Sequence, residues 1–148
     1  MCPNTLLFNI RRIIKLYDCM LKPICERYGL AQIEVTIISF LFNNPGRDTA
    51  ADIVELRMLS KGNVSQAVEN LIQKSLLRRQ QDTADRRRIH LSLTAESRAI
   101  TDDIQAVREV FLGRIFNGFT DGEQKQFVRF NERIAENLKK AAEGDAIE

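Results

Sequence analysis

Apolar residues recur at intervals of three and four from Leu6 through Leu7, Ile10, Ile13, Ile14, Tyr17, Met20, Leu21 and Ile24, which predicts a long amphipathic helix over Asn4 to Tyr28. Pro23 lies inside that pattern and predicts a kink or a fresh helical start, and Gly29 is a helix stop. A second helix is expected over Ala31 to Phe42, apolar at Ile33, Ile37, Ile38 and Leu41, closed by the turn N-N-P-G at Asn43 to Gly46. T-A-A-D at Thr49 to Asp52 resembles a capping box and opens a short helix, with Ile53, Val54 and Leu56 expected to face inward.

Ser60 is placed to cap the next helix. Val64, Ala67, Val68, Leu71 and Ile72 form its apolar stripe, and the opposite face shows Gly62, Asn63, Gln66, Glu69, Asn70 and Gln73. That face is rich in amides, where an ordinary solvated face alternates charges. Two strands follow, Leu76 to Gln80 and Arg88 to Leu93, the second with Ile89, Leu91 and Leu93 alternating inward, joined by a hairpin turn over Asp82 to Arg87. Thr94 is expected to cap a long helix from Ala95 to about Asn117, apolar at Ile100, Ile104, Val107, Phe111, Leu112 and Ile115. Gly118 breaks it, and T-D-G-E at Thr120 to Glu123 opens a last helix, apolar at Phe127, Phe130, Ile134 and Leu138.

Composition narrows the classes. A chain of 148 residues with 44% hydrophobic and 28% charged residues suits one globular domain with a real core. Its apolar runs are too short to span a bilayer, and no signal-peptide pattern opens the chain, so a cytosolic protein is expected. Three cysteines, Cys2, Cys19 and Cys25, without a C-x-x-C pair, and a lone histidine, His90, argue against a zinc site or a disulfide framework. No cofactor is implied, and the absence of a Gly-rich phosphate loop or a histidine with a nucleophile beside it argues against an enzyme. The net charge of +2 is mild, but Arg78, Arg79, Arg86, Arg87 and Arg88 stand against only Asp82 and Asp85 in one short stretch. A phosphate backbone responds to that local field rather than to the sum.

The order of elements predicts a mainly α (α+β) fold: a winged helix-turn-helix with a small antiparallel β-hairpin wing and long N- and C-terminal dimerisation helices. The long terminal helices carry more apolar surface than a winged helix covers, so a two-fold homodimer is expected, addressing a pseudo-palindromic site on double-stranded DNA. The chain resembles the MarR family of bacterial transcriptional regulators over nearly its whole length. The likeness lies in L-K-P…Y-G-L at Leu21 to Leu30, D-I-V-E-L at Asp52 to Leu56, L-S-K-G-N-V-S-Q-A-V-E-N-L at Leu59 to Leu71, and D-R-R-R-I-H-L-S-L-T at Asp85 to Thr94. It implies one MarR-type domain over 1–148, with the winged helix at 30–94 and dimerisation helices at 4–29 and 95–142. It also implies an arginine at Arg87 that enters the minor groove, and repression relieved by a small molecule or by thiol oxidation. Ser75 and Ser97 stand where the family usually has Gly, so a small positive-φ cost is expected at Ser75, and Ala31 replaces the usual Thr cap.

On this reading Lys61, Arg86 and Arg88 engage phosphates, with the Ser60 and Ser65 hydroxyls able to join them. Asn63, Ser65 and Gln66 read bases, Asn70 belongs to the same DNA-binding face, Arg87 enters the minor groove, and Asp85 pairs with Arg87 to fix its fork. Phe8, Tyr17, Tyr28, Phe40 and Phe111 are candidates for an effector pocket, with core packing the preferred reading of each. The alternative signal is a thiol, Cys19 or Cys25, for which burial as a small hydrophobe is the preferred reading. A winged helix used only for protein contacts is the remaining alternative; the amide-rich helix and the arginine turn weigh against it.

Overall fold

A computed structural model describes residues 2–145. Six α-helices and one antiparallel hairpin are found among them, in the order α1 (Pro3–Tyr28), α2 (Gln32–Asn43), α3 (Ala50–Arg57), α4 (Lys61–Gln73), β1 (Leu77–Gln81), β2 (Ile89–Leu93), α5 (Arg98–Ile115) and α6 (Asp121–Asp145). The chain forms two compact units, Met1–Phe111 and Leu112–Glu148.

In the first unit, α1 runs as one helix through Pro23 and stops where Gly29 turns left-handed at φ 64°. The core lies under α2: Val35, Ile37 and Ile38 are fully buried and meet Leu21 and Ile24 of α1, Ile53 of α3, Val64 and Leu71 of α4, and Leu77 and Leu91 of the hairpin. Leu56 departs from expectation. It is 49% exposed, because α3 is only eight residues long and buries the single position Ile53. The predicted caps at Thr49, Ser60 and Thr120 form: each hydroxyl accepts from the backbone N–H three residues on, at 3.1, 3.2 and 3.1 Å. Ala31 has no hydroxyl to offer, so α2 keeps half of a capping box, the Glu34 carboxylate accepting from the Ala31 N–H at 2.8 Å.

The end of α4 positions the wing. Leu76 N–H bonds to Leu71 C=O at 2.9 Å and Ser75 N–H to Ile72 C=O at 3.0 Å, a Schellman closure that places Ser75 at φ 63°. A left-handed serine carries the cost expected there. Ser75→Gly should therefore raise stability by about 0.5–1 kcal/mol, read as a higher denaturant midpoint at unchanged m-value. The hairpin register pairs Leu77 with Leu93, Arg79 with Leu91 and Gln80 with His90. Leu91 is buried, but Ile89 is 44% exposed, since it lies beyond the last core residue under the sheet. Thr94 does not cap a helix. Its hydroxyl donates to Ser75 C=O at 2.7 Å, and a 3-10 turn over Ala95–Ser97 intervenes before α5. Ser97 is buried and its hydroxyl donates to Thr94 C=O at 2.7 Å, which suits this turn.

In α5, Ile100 and Ile104 are buried in the first unit, whereas Leu112, just past its end, is exposed. The second unit is built on Phe116, whose ring meets Phe119 and Phe127 edge-on at 5.4 and 5.2 Å. Phe127, Val128, Phe130, Ile134 and Leu138 are exposed along α6, as are Leu6, Leu7, Phe8, Ile10, Ile13 and Ile14 along α1.

Candidate nucleic-acid interface

The exposed side of α4 carries Ser60, Lys61, Asn63, Ser65 and Gln66, all exposed, with Asn70 half-buried at its edge. The stripe Val64, Ala67, Val68 and Leu71 is buried against α2 and α3, and this fixes which face looks out. Gln66 Nε2 donates to Asn70 Oδ1 at 3.0 Å, so these two amides hold one another in a set orientation. The Ser60 oxygen is occupied by the cap, which leaves its O–H free to donate outward. Glu69, the one acid on this face, is taken up by an ion pair with Arg79 of β1. The pair removes a negative charge from the α4 surface and ties it to the hairpin.

At the hairpin tip, Arg86, Arg87 and Arg88 are exposed, and among the described residues none has a carboxylate within 4.0 Å. The expected Asp85–Arg87 side-chain pair does not form. Asp85 Oδ1 instead accepts the Arg87 backbone N–H at 3.0 Å, and Asp85 C=O accepts the Arg88 N–H at 3.0 Å. Asp85 is thus spent on folding the turn, because a short carboxylate two residues upstream reaches the backbone before it reaches a guanidinium. The three guanidiniums remain free for an anion.

Sequence reasoning gave His90 no role. In the structure its Nδ1 lies 2.8 Å from Asp48 Oδ1, in the segment joining α2 and α3, and its Nε2 lies 2.8 Å from Asp82 Oδ2, at the mouth of the wing. Asp82 Oδ1 accepts the Ala84 and Asp85 N–H groups at 2.7 and 3.1 Å, shaping the tip. Asp48 C=O accepts the Leu91 N–H at 2.7 Å, so the segment before α3 docks along the free edge of β2. The only hint in the sequence is a histidine at a solvent-facing strand position; the two acids lie 42 and 8 residues away.

The five pocket candidates divide. Tyr17 and Phe40 line a cavity of about 80 Å³ with Leu21, Thr36, Ser39, Asn43, Asn44 and Arg57. Tyr17 Oη and Ser39 Oγ share a hydrogen bond of 2.7 Å there, and Phe111 packs edge-on against Tyr17 at 5.0 Å. Tyr28 lies elsewhere, donating to Asp103 Oδ2 at 2.7 Å, and Phe8 is exposed on α1. Cys25 is half-buried beside Gln32, and burial raises its thiol above the ordinary value; Cys19 is exposed. No group of three potential metal ligands occurs among the described residues.

Three comparisons bear on this geometry. A model of the MarR family matches residues 28–88. The uncharacterised helix-turn-helix regulator YkoM of Bacillus subtilis is 25% identical over 103 residues, covering 70% of this chain and 66% of that protein. The transcriptional repressor MdtR of the same organism is 28% identical over 120 residues, covering 81% and 74%. A MarR-family regulator from Listeria monocytogenes, solved with a 26mer DNA, superposes with a TM-score of 0.74 at 19% identity, covering 89% and 87%; at that identity the likeness is one of fold.

Proposed function

We propose that this chain, which a model of the MarR family matches over residues 28–88, belongs to that family and is a homodimeric regulator of transcription that binds duplex DNA sequence-specifically. The observation that carries this is the joint display, on one unit, of an amide-rich α4 face and a wing tip with three unpaired arginines. Lys61, Arg86 and Arg88 are assigned to phosphates, Asn63, Ser65, Gln66 and Asn70 to base edges, with Ser60 at the helix start, and Arg87 to the minor groove. Asp85 acts by shaping the turn. The winged helix proper is assigned to 30–94, and 4–29 and 95–142 to dimerisation within one functional domain.

The exposed apolar rows on α1 and α6 support a second copy as the partner, since large exposed apolar faces are rare on monomers. The relative MdtR is named a repressor, and repression is the proposed sense of regulation here. Relief by a small molecule is the proposed signal: the cavity beside Tyr17 and Ser39 offers hydroxyls, amides and Arg57, whose Nε is buried with no hydrogen-bond partner among the described residues, and at about 80 Å³ it must widen to admit an effector. Binding rather than catalysis is the proposed activity, in the cytoplasm; no helix among the described residues is long and apolar enough to cross a membrane. Burial favours the less reactive protonated form of Cys25, which weighs against that residue as a thiol sensor.

A gel shift with the DNA upstream of the protein's own coding sequence tests the proposal. A retarded complex that survives excess unrelated duplex is expected. Equal competition by unrelated duplex would overturn sequence-specific binding.

A further inference from the structure

We propose that His90 is a positioning residue that locks the wing against the helix-turn-helix only while both of its ring nitrogens are protonated, so that the grip on DNA follows the protonation of one side chain. The DNA part of this proposal rests on the reading given above.

The geometry sets the requirement. Both ring nitrogens face a carboxylate oxygen at 2.8 Å. A neutral imidazole has one N–H and can donate to only one of them; its other nitrogen would turn a lone pair on an acceptor. The imidazolium donates to both and offsets two negative charges. The residues lining this surface hollow are Asp48, Gln80, Gln81, Asp82, Thr83, Leu91 and Ser92, so the two aspartates are the charged groups among those that line it with the ring.

The clamp joins parts with different tasks. Asp48 belongs to the segment that leads into α3, and Asp82 to the wing. From the ring, the bonds run through Asp82 to the N–H groups of Ala84 and Asp85, and through Asp85 to the N–H groups of Arg87 and Arg88. Loss of the Asp82 bond leaves the root of the turn closed by the Asp82 N–H to Arg88 C=O bond but no longer anchors the aspartate that shapes the tip. Loss of the Asp48 side-chain bond loosens the hairpin against the segment before α3, which the Leu91 N–H bond to Asp48 C=O still holds.

The hydrogen bond to Asp48, then that to Asp82, raises the His90 pKa above its ordinary 6.5. The bond from His90, then those from the Ala84 and Asp85 N–H groups, lowers Asp82 from 3.8 to about 2. A raised histidine stabilises fully below pH 6.5 and loses its contribution as the pH rises through the raised value. A depressed aspartate stabilises above its ordinary value and loses its contribution only as the pH falls toward about 2. The clamp is therefore closed below about pH 6.5 and opens as the pH rises through the raised His90 value. Phosphodiesters do not titrate in that range, so the DNA brings no competing change.

His90 is the only histidine in the chain, so in tag-free protein a single imidazole signal reports on it by NMR. The expected result is a midpoint above 6.5, with the amides of Ala84, Asp85 and Arg87 titrating at the same midpoint, and a lower midpoint in Asp48→Asn. A midpoint at or below 6.5, or wing amides that ignore it, would overturn the clamp. At fixed salt, affinity for duplex DNA should fall about fivefold or more between roughly pH 6 and 8.5. His90→Gln should be flat across that range at the weak, alkaline level, and wild-type pH dependence in this variant would overturn the coupling. If no duplex binds at any pH while the ring and wing amides titrate together, the DNA reading fails and the clamp stands.

Discussion

Replacing Arg86, Arg87 and Arg88 together by alanine is expected to weaken DNA binding by at least about a hundredfold near 150 mM salt, and to flatten the dependence of log K on log salt concentration by about three to four units. The arithmetic follows from counterion release. In the proposed dimer, Arg86 and Arg88 on each of two wings would supply four phosphate contacts, each releasing about 0.9 of a condensed ion. The fold should not respond, because the three guanidiniums are exposed and unpaired and the turn is held by backbone and aspartate bonds. Surface changes of that kind move stability by less than about 0.5 kcal/mol. Arg87→Ala alone should separate the two roles. Affinity should fall, most on sites with a narrow minor groove, while the salt slope moves by about one unit or less. Equilibrium titrations at three or more salt concentrations make the comparison. A triple variant within threefold of wild type would remove the wing from the interface.

The second large effect is on stability. Glu34 is 3% exposed, and its carboxylate accepts from Lys74 Nζ at 3.1 and 3.0 Å and from the Ala31 N–H at 2.8 Å. This ties the start of α2 to the end of α4 and so helps set the pitch of the exposed α4 face. Lys74→Met should cost about 2 kcal/mol: it strands a carboxylate that is only 4% exposed, and the 42% exposure of Lys74 keeps the cost below that of breaking a fully buried pair. For a chain of this size that is a fall in Tm of about 4–8 °C. Adding Glu34→Gln should restore roughly half or more of the loss, since the neutral amide keeps an oxygen for the Ala31 N–H without a buried charge. A surface pair would cost less than about 1 kcal/mol and show no such rescue. The two outcomes are distinct in a denaturant titration of the three proteins.

Much of the fold was legible because its signals are local. Helix periodicity, the hydroxyl caps at Thr49, Ser60 and Thr120, and the stop at Gly29 each need only a few neighbouring residues, and the three caps and the stop are present. The cost expected at Ser75 corresponds to a left-handed φ of 63°. The expectations that failed depended on where an element ends or on which of two nearby partners a side chain chooses. Ile89 and Leu56 obey the alternation of their elements but fall past the edge of what the core covers. Thr94 had a helix to cap, yet a carbonyl left open by the Schellman turn at Ser75 takes its hydroxyl. Asp85 was expected to hold a guanidinium and holds two backbone N–H groups nearby.

The candidate interface was legible for the same local reason, since one helix face and one turn contain every residue assigned to DNA. The features that orient it were not. Glu69 with Arg79, Glu34 with Lys74, and Asp48 with His90 join residues 10, 40 and 42 positions apart, and no pattern along the chain marks them as partners. The basic stretch also changed its composition. Arg79 is spent on Glu69, while Arg86, Arg87 and Arg88 stay free, so the positive field is concentrated at the tip of the wing.

Selection of bound sequences from a pool of random duplex DNA tests the central claim most directly. A two-fold symmetric motif should emerge, with half-sites spaced about one helical turn apart, and Asn63→Ala or Gln66→Ala should relax the preference at particular bases without flattening the salt slope. A pool that emerges without a motif, or a motif untouched by both substitutions, would contradict the reading of α4 as the element that reads DNA.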